Sequence, residues 1–563
     1  MPLPTLPLRG WGLALAFGGL VLLLGAGPPA DDIAPLLRAR LEAARPHAEG
    51  PLLLHGAPVR TRALLIRHYR QTGYTPGWVG PQGPTPLVDS LRAVLRTADA
   101  DGLRPADYHI EVIDSLRHAL DRQAAAGAVD ERALGDLELL CTDAFLLFGS
   151  HLLGGRLDPE ALVPSWTLDR RRSDLPDRLR HALDTGAIRA TLHALRPPQP
   201  GYAALRRTLA RHRALAARGG WPVLPDGPAL AEGARDARVP LLRRRLQQAG
   251  DDPGPPPADA LRFDDALRQA VGRFQERHGL AADGVVGPAT RAALNVPVEA
   301  RLRQLLVNLE RWRWLPQDLG DRHVIVNIAD FWLRVVEQQT TILQMRVVVG
   351  TPYRQTPIFS DRISYLVFNP YWHVPRRIAV EDKLPAFQRN PALVSRLGFE
   401  VLPADGTTPV DPATVAWDEL SADRFPYRLR QTPGPLNALG RVKFMFPNRH
   451  TVYLHDTPSR SLFDRSARDF SSGCIRVEYP AELAEALLRA NAGWSAERIR
   501  ATMDGNAERV VGLGRPVPVH LLYWTAWVED GRPHFRADLY DRDAPVAAAL
   551  AAPAPRQAGP TPR

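Results

Sequence analysis

The sequence predicts an α+β multidomain protein: a helical scaffold, a small three-helix module, then a β-rich domain with an inserted capping subdomain. Length and two changes of texture argue for it. The chain has 563 residues, too many for one hydrophobic core, so several folded units are expected. Up to about residue 300 apolar residues recur at helical spacing. Beyond His323 they fall in β-branched and aromatic runs bounded by turn residues. A hydrophobic share of 45% with 23% charged residues suits globular domains rather than a disordered chain.

Residues 1–30 set the compartment. Arg9 precedes an apolar run from Trp11 to Leu24, and Gly25 to Ala30 form a small-residue and proline exit. That is the layout of a secretory signal. The run is short for a bilayer span, which needs about 20 apolar residues. No sharp cleavage site is visible, so the segment is expected to be a cleaved signal or a retained membrane anchor.

Residues 31–235 read as helices joined by proline- and glycine-containing turns, such as those around Leu87–Leu95 and Leu134–Leu153. The aromatic, turn-rich segment Tyr69–Gly80 is expected to pack as a loop against them. Nothing here has catalytic spacing, so the region reads as a scaffold. Leu134, Leu137, Cys141, Phe145, Phe148 and Leu152 form one helical stripe, which makes Cys141 a small core residue. Its alternative is a disulfide with Cys474, less expected because the two contexts belong to separate domains.

The net charge is +10 and nearly all the basic residues are arginine. This reflects compositional bias, or else favours an anionic polymer or surface. No RRM, zinc-finger or helix-turn-helix pattern accompanies it, so no nucleic-acid partner is expected.

Residues 236–300 form a separate small unit. Leu242 and Leu246 share one helix face, and Leu267, Val271 and Phe274 another. Asp283-Gly284 marks a turn, and Pro288 suits the first turn of a third helix carrying Leu294. With its "AVGRFQERHGL…DGVVGPAT" signature, the unit resembles the peptidoglycan-binding domain 1 family.

Residues 301–540 carry the strand-like runs, among them "HVIVNIADFWLRVVE", "RISYLVFNPYWHV" and "TVYLH", which suit a sandwich or barrel. The pattern lapses at about 376–430, the expected cap over a cleft. Residues 541–563, rich in alanine and proline, are expected to be a disordered tail.

The chemistry concentrates in Thr451–Pro480. His455 closes a strand-like run, and Cys474 follows 19 residues later within Ser471-Ser472-Gly473-Cys474-Ile475-Arg476. A thiol with a pKa near 8.5 is mostly protonated at neutral pH and needs a base or a positive neighbour. His455 can take its proton. The amides of Gly473 and Cys474 are expected to face a developing oxyanion, with Ser471 and Ser472 lining the site. Arg476 can hold a substrate carboxylate. Tyr453 shares a strand face with His455 and is expected to line the donor site, or else to pack. Trp372 is expected to floor the cleft, or else to be core. His450 is a rival base in a turn-like segment, while His323 and His520 read as surface or core residues.

This segment resembles the YkuD-type L,D-transpeptidase catalytic domain, whose motif is a histidine, a spacer, Ser/Thr-His-Gly-Cys and a nearby arginine. His455, Ser471, Gly473, Cys474 and Arg476 fall on the motif. Ser472 departs from it, standing where the motif often has a second histidine. "NPYWHVP" (Asn369–Pro375), "GPLNALGRVKFMFPN" (Gly434–Asn448) and the order of domains resemble the large periplasmic YcbB-like members. The resemblance implies a β-rich fold with an inserted cap and a periplasmic location. It implies 3→3 cross-linking of peptidoglycan stem peptides through a cysteine thioester, with stem peptides, glycan strands and other cell-wall enzymes as partners. The alternatives are an L,D-carboxypeptidase or hydrolase using the same thioester, and a non-catalytic wall-binding scaffold motivated by Ser472. No HExxH, paired CxxC, P-loop or dinucleotide fingerprint is present, so no metal and no cofactor is expected.

Overall fold

The computed structural model describes residues 33–43, 52–163, 166, 168, 170–406 and 408–552. The signal or anchor expected at 1–30 lies outside them.

Helix α1 (Glu131–Gly154) is apolar around most of its circumference, so it must be buried on all sides. Helices Arg62–Gln71, Pro86–Leu95, Ile110–Ala125 and Leu175–Thr185 surround it. Asp130 caps its first turn by accepting from the amides of Arg132 and Ala133. Glu138 is buried mid-helix. Its carboxylate accepts from the amides of Gly77 (2.9 Å), Trp78 (2.8 Å) and Val79 (3.1 Å) and from the Tyr69 hydroxyl (2.8 Å). These donors offset the cost of burying the charge and pin the Tyr69–Gly80 segment to the helix. Helix α2 (Pro200–Ala216) ends the scaffold.

The three-helix module follows as α3 (Val239–Ala249), α4 (Asp265–Arg277) and α5 (Pro288–Leu294). Leu242, Leu246, Leu267, Val271, Phe274 and Leu294 are all fully buried in one core. Gln275 fixes the turn between α4 and α5: its amide bonds Asp283, the Val285 carbonyl and Thr290, and Gly284 donates to it.

Helix α6 (Val298–Arg313) leads into the β-rich domain. Its strands are β1 (Arg322–Asn327), β2 (Trp332–Glu337), β3 (Thr340–Gly350) and β4 (Phe359–Phe368). A cap follows with β5 (Trp372–His373), β6 (Phe399–Leu402) and β7 (Arg428–Gln431). The chain returns through β8 (Val442–Met445), β9 (Leu454–His455), β10 (Asp469–Ser471), β11 (Ile475–Val477) and β12 (Arg509–Leu522). The main order is β10-β3-β11-β9-β8-β4-β12-β1-β2, and β2 also pairs with β3. The sheet therefore closes into a barrel with β10 added outside it. Closure resolves the sandwich-or-barrel choice and removes most exposed edges. Leu333, Val347, Leu366, Phe444, Leu454, Ile475 and Leu521 alternate inward and are fully buried.

The cap packs its antiparallel sheet, ordered β6-β7-β5, around Phe387, Phe399, Trp417 and Leu429. Trp372 and Leu439 belong to the same core, so the cap reaches beyond the 376–430 interval read from the sequence.

Scaffold and barrel share one apolar core in which Tyr202, Leu205 and Leu209 of α2 meet Leu305 and Leu309 of α6. Trp312 stacks on Trp524 with ring centroids 4.6 Å apart. The buried Arg313 pairs with Glu310 and donates to the Asp101 carbonyl (2.7 Å) and the Tyr202 hydroxyl (3.1 Å).

The expected disordered tail is corrected at its start. Asp543–Ala551 form helix α7, with Val546 fully buried. Asp543 pairs with Arg311 at 2.5 Å, and Arg156 donates to the Leu550 carbonyl at 2.6 Å. Alanine and proline content suggested too little apolar surface, but an ion pair and a borrowed core hold the helix. Residues 553–563 lie outside the described set.

Candidate active site

The site rests on the parallel pair β9 and β11. Leu454 lies opposite Ile475 and His455 opposite Arg476, and the Ile475 amide donates to the Tyr453 carbonyl at 3.1 Å. Leu454 and Ile475 point into the barrel core. By alternation Tyr453, His455, Cys474 and Arg476 share the outer face. Lys443 on β8 lies opposite His455 and joins that face. Tyr453 also packs against the cap core, so the cap covers this part of the sheet.

The turn before Cys474 is held from several sides. Gly473 has φ +113°, a conformation L side chains rarely adopt. Its carbonyl accepts from Thr356 Oγ1 at 2.8 Å, and Thr356 Oγ1 in turn accepts from the Gly350 amide at 2.9 Å. Ser471 is buried, donates to the Cys474 carbonyl and accepts from the Gly473 amide at 3.1 Å. The Gly473 amide is therefore committed inside the turn and does not face an oxyanion, contrary to the sequence expectation. A serine two residues back reaches it first. Among the described residues no acceptor engages the Cys474 amide.

Ser472 is exposed, and its hydroxyl accepts from Arg354 Nη1 at 2.8 Å. The same guanidinium binds Asp382 at 2.7 and 2.8 Å and Glu381 at 2.6 Å. Arg354 thus ties the residue that replaces the motif histidine to the cap.

His455 is buried, and its Nδ1 lies 2.6 Å from the Asp456 carbonyl oxygen. A carbonyl only accepts, so Nδ1 carries the proton and Nε2 keeps its lone pair. Burial, then the Arg476 charge, then Lys443 push its pKa down to about 3, against the Asp456 carbonyl. Burial pushes the Cys474 thiol up to about 11, opposed by hydrogen bonds from Tyr453 and by Arg476. Both groups are neutral at rest. The thiol makes a long contact, 4.0 Å, to the Thr451 carbonyl. Thr451 is β-branched at φ +53°, local backbone strain beside the candidate nucleophile.

Arg476 is largely buried, and among the described residues it forms no ion pair within 4 Å and its Nε has no hydrogen-bond partner. Lys443 and Lys383 also lack ion pairs among the described residues. Lys383 comes from the cap, 5.4 Å from the Trp372 ring and 5.5 Å from the Phe399 ring, and it feels the Arg476 charge. Trp372 is therefore cap core with a cation on its face rather than an open cleft floor. His450 rests 5.0 Å from the Phe359 ring on a turn, and His520 bonds Ser360 and the Leu319 carbonyl. Cys141 is fully buried, and both cysteines are free.

Sequence reasoning missed Arg354, Thr356, Lys383 and Lys443. The first two act through tertiary contacts that no motif marks. The lysines do carry a sequence signal: they are the only two in the chain.

Family models match three segments. Residues 63–209 match "Scaffold domain", 235–294 "Putative peptidoglycan binding domain", and 321–519 "L,D-transpeptidase catalytic domain", the YkuD family. The chain carries a YkuD-family L,D-transpeptidase catalytic domain. A curated Haemophilus influenzae protein described as "Putative L,D-transpeptidase" is 37% identical over 243 residues, 43% of this chain and 48% of that protein. The chain thus spans about half the length of that relative. Two solved structures match more distantly. One is an L,D-transpeptidase from Xylanimonas cellulosilytica, 18% identical, covering 53% of this chain and 99% of that chain, TM-score 0.18. The other is a fused Zn-dependent amidase/peptidase/peptidoglycan-binding protein from Clostridium acetobutylicum, 12% identical, covering 53% of this chain and 100% of that one, TM-score 0.14. In the L,D-transpeptidase domain, His455, Cys474 and Arg476 all lie on the outer face of β9 and β11, beneath the cap.

Proposed function

We propose that the protein is an exported, periplasmic peptidoglycan L,D-transpeptidase that forms 3→3 cross-links through a thioester on Cys474. The observation that carries the reading is the in-register pair of β9 and β11, which sets an imidazole with a free Nε2 beside the thiol-bearing turn.

His455 Nε2 takes the thiol proton as sulfur bonds to the carbonyl carbon of the third stem residue, a diaminopimelate. The oxyanion meets the Cys474 amide. The carbon–nitrogen bond breaks, and the departing D-alanine amine takes the proton from His455. The side-chain amine of a second stem then attacks the thioester, gives its proton to His455, and the released thiolate takes that proton back. Two easier steps replace one hard one. Arg476 faces the substrate carboxylates as an unpaired charge. The peptidoglycan binding domain keeps polymer near the site and raises its effective concentration.

The test incubates purified full-length protein with disaccharide-tetrapeptide and reads the products by mass spectrometry, with Cys474→Ala as control. Cross-linked dimers from wild type alone support the reading. Tripeptides without dimers would make the enzyme a carboxypeptidase. Unchanged substrate in both proteins would leave a wall-binding scaffold.

A further inference from the structure

Of the 71 Lys and Arg side chains only two are lysine, Lys383 and Lys443. Arginine serves everywhere else: in the scaffold hub at Asp101, in the module, at domain contacts and in the Arg354 clamp. Where a chain meets nearly every need for positive charge with guanidinium, two ammonium groups call for a reason.

Their placement is independent of their rarity. They lie 60 residues apart on different subdomains. Lys443 is on the barrel strand opposite His455, and Lys383 sits over the cap-core rings of Trp372 and Phe399, against which Tyr453 packs. Lys443 stands in register with His455, and Lys383 lies close enough to Arg476 to be affected by its charge. Both are partly buried and form no ion pair among the described residues, although Asp382 and Glu508 are near enough to favour the charged amines. The backbone supplying Lys383 is a π-helical turn, Ala379–Lys383, a local distortion frequent at functional sites. Lys383 rests on the Trp372 and Phe399 rings, but neither ammonium has a carboxylate within 4 Å among the described residues, so the arrangement suits a ligand that brings the anions. An ammonium is a compact point charge on a flexible stem, whereas a guanidinium is a broad planar fork.

We propose that Lys383 and Lys443 are specificity-determining residues that, with Arg476, read free carboxylates of a donor peptide carrying more than one of them. This rests on the functional reading above and adds the substrate class. A stem amidated on its diaminopimelate is a poor ligand on this account, because it presents an ammonium group with a neutral amide.

The test measures calorimetric binding of disaccharide-tetrapeptide to the full-length Cys474→Ala protein, then to the same protein with Lys443→Arg, Lys383→Arg, Lys443→Met or Lys383→Met. The ligand is supplied with free or amidated diaminopimelate, and melting temperature monitors the fold. Each methionine variant should weaken binding of the carboxylate ligand about 10- to 100-fold, the range for a charge-assisted hydrogen bond. Each arginine variant, with its charge kept and fold intact, should still lose several-fold. With the amidated ligand the losses for at least one lysine should vanish. Unchanged affinity in all four variants, or equal losses with both ligands, would overturn the proposal while leaving the enzymatic reading intact. No binding by the Cys474→Ala parent would sink both.

Discussion

His455 stands directly across from Arg476, in register on two parallel strands, with an imidazole and a guanidinium that has no ion pair among the described residues on the same face. The guanidinium opposes a second positive charge on the imidazole and favours a negative charge on the sulfur. The pair therefore sets the proton inventory of the site.

With His455 held near 3 and Cys474 near 11, a neutral thiol and a neutral base are the resting forms at pH 7. The iodoacetamide alkylation rate of Cys474 should rise about tenfold per pH unit from neutrality toward the thiol pKa. A plateau below pH 7 would reveal a preformed thiolate–imidazolium pair instead. Arg476→Met should move the rise to higher pH, since Arg476 lowers the thiol pKa.

Arg354→Met should separate Ser472 from the cap. The acidic partners are partly exposed, so stability should fall by about 1 kcal/mol or less. Amide exchange over residues 470–476 should quicken, and acylation of Cys474 by a carbapenem should slow about tenfold. Unchanged exchange in that segment would show that the clamp does not order the turn.

Gly440 has φ +60°, and a Cβ there would fall 2.3 Å from the Asp456 carboxylate. Gly440→Ala should cost about 1–3 kcal/mol in urea unfolding. It should also depress turnover more than substrate affinity, because Asp456 carries the carbonyl that fixes the His455 tautomer. Equal loss in kcat and gain in KM would place the damage elsewhere.

Burial holds His151 and His534 near pKa 3 and His68 and His520 near 4, all below their unfolded value of 6.5. The unfolded chain binds these protons first. Their stabilising contribution is thus full above pH 6.5 and is lost as pH falls toward 3–4. Each such group costs up to about 1.4 kcal/mol per pH unit in that window. Melting temperature should drop steadily from pH 7 to 5, and His151→Gln should flatten the slope.

Much of this was legible in the chain. Periodicity exposed the α1 stripe and the module's core positions, and the fold class of helical scaffold plus β-rich domain was borne out. Those signals are local, carried by residues three, four or two apart. Barrel closure was not legible, because it depends on β2 meeting β3 while β1 also meets β12. The Gly473 amide was misread for the same kind of reason: its partner, Ser471, is close in sequence, but the turn that joins them is fixed by Thr356 from a distant loop. Val546 was misread because composition says nothing of the surface a neighbour can lend.

The C-terminal helix has a consequence for how the molecule is made. Arg104 and Arg156, early in the chain, donate to carbonyls at Leu550 to Ala552, and Arg311 grips Asp543. Contacts whose partners lie 393 to 448 residues apart close late. Helix α7 must be synthesised before the first domain gains these neighbours, so a nascent chain that stalls ahead of Asp543 would leave the scaffold surface uncovered and prone to self-association.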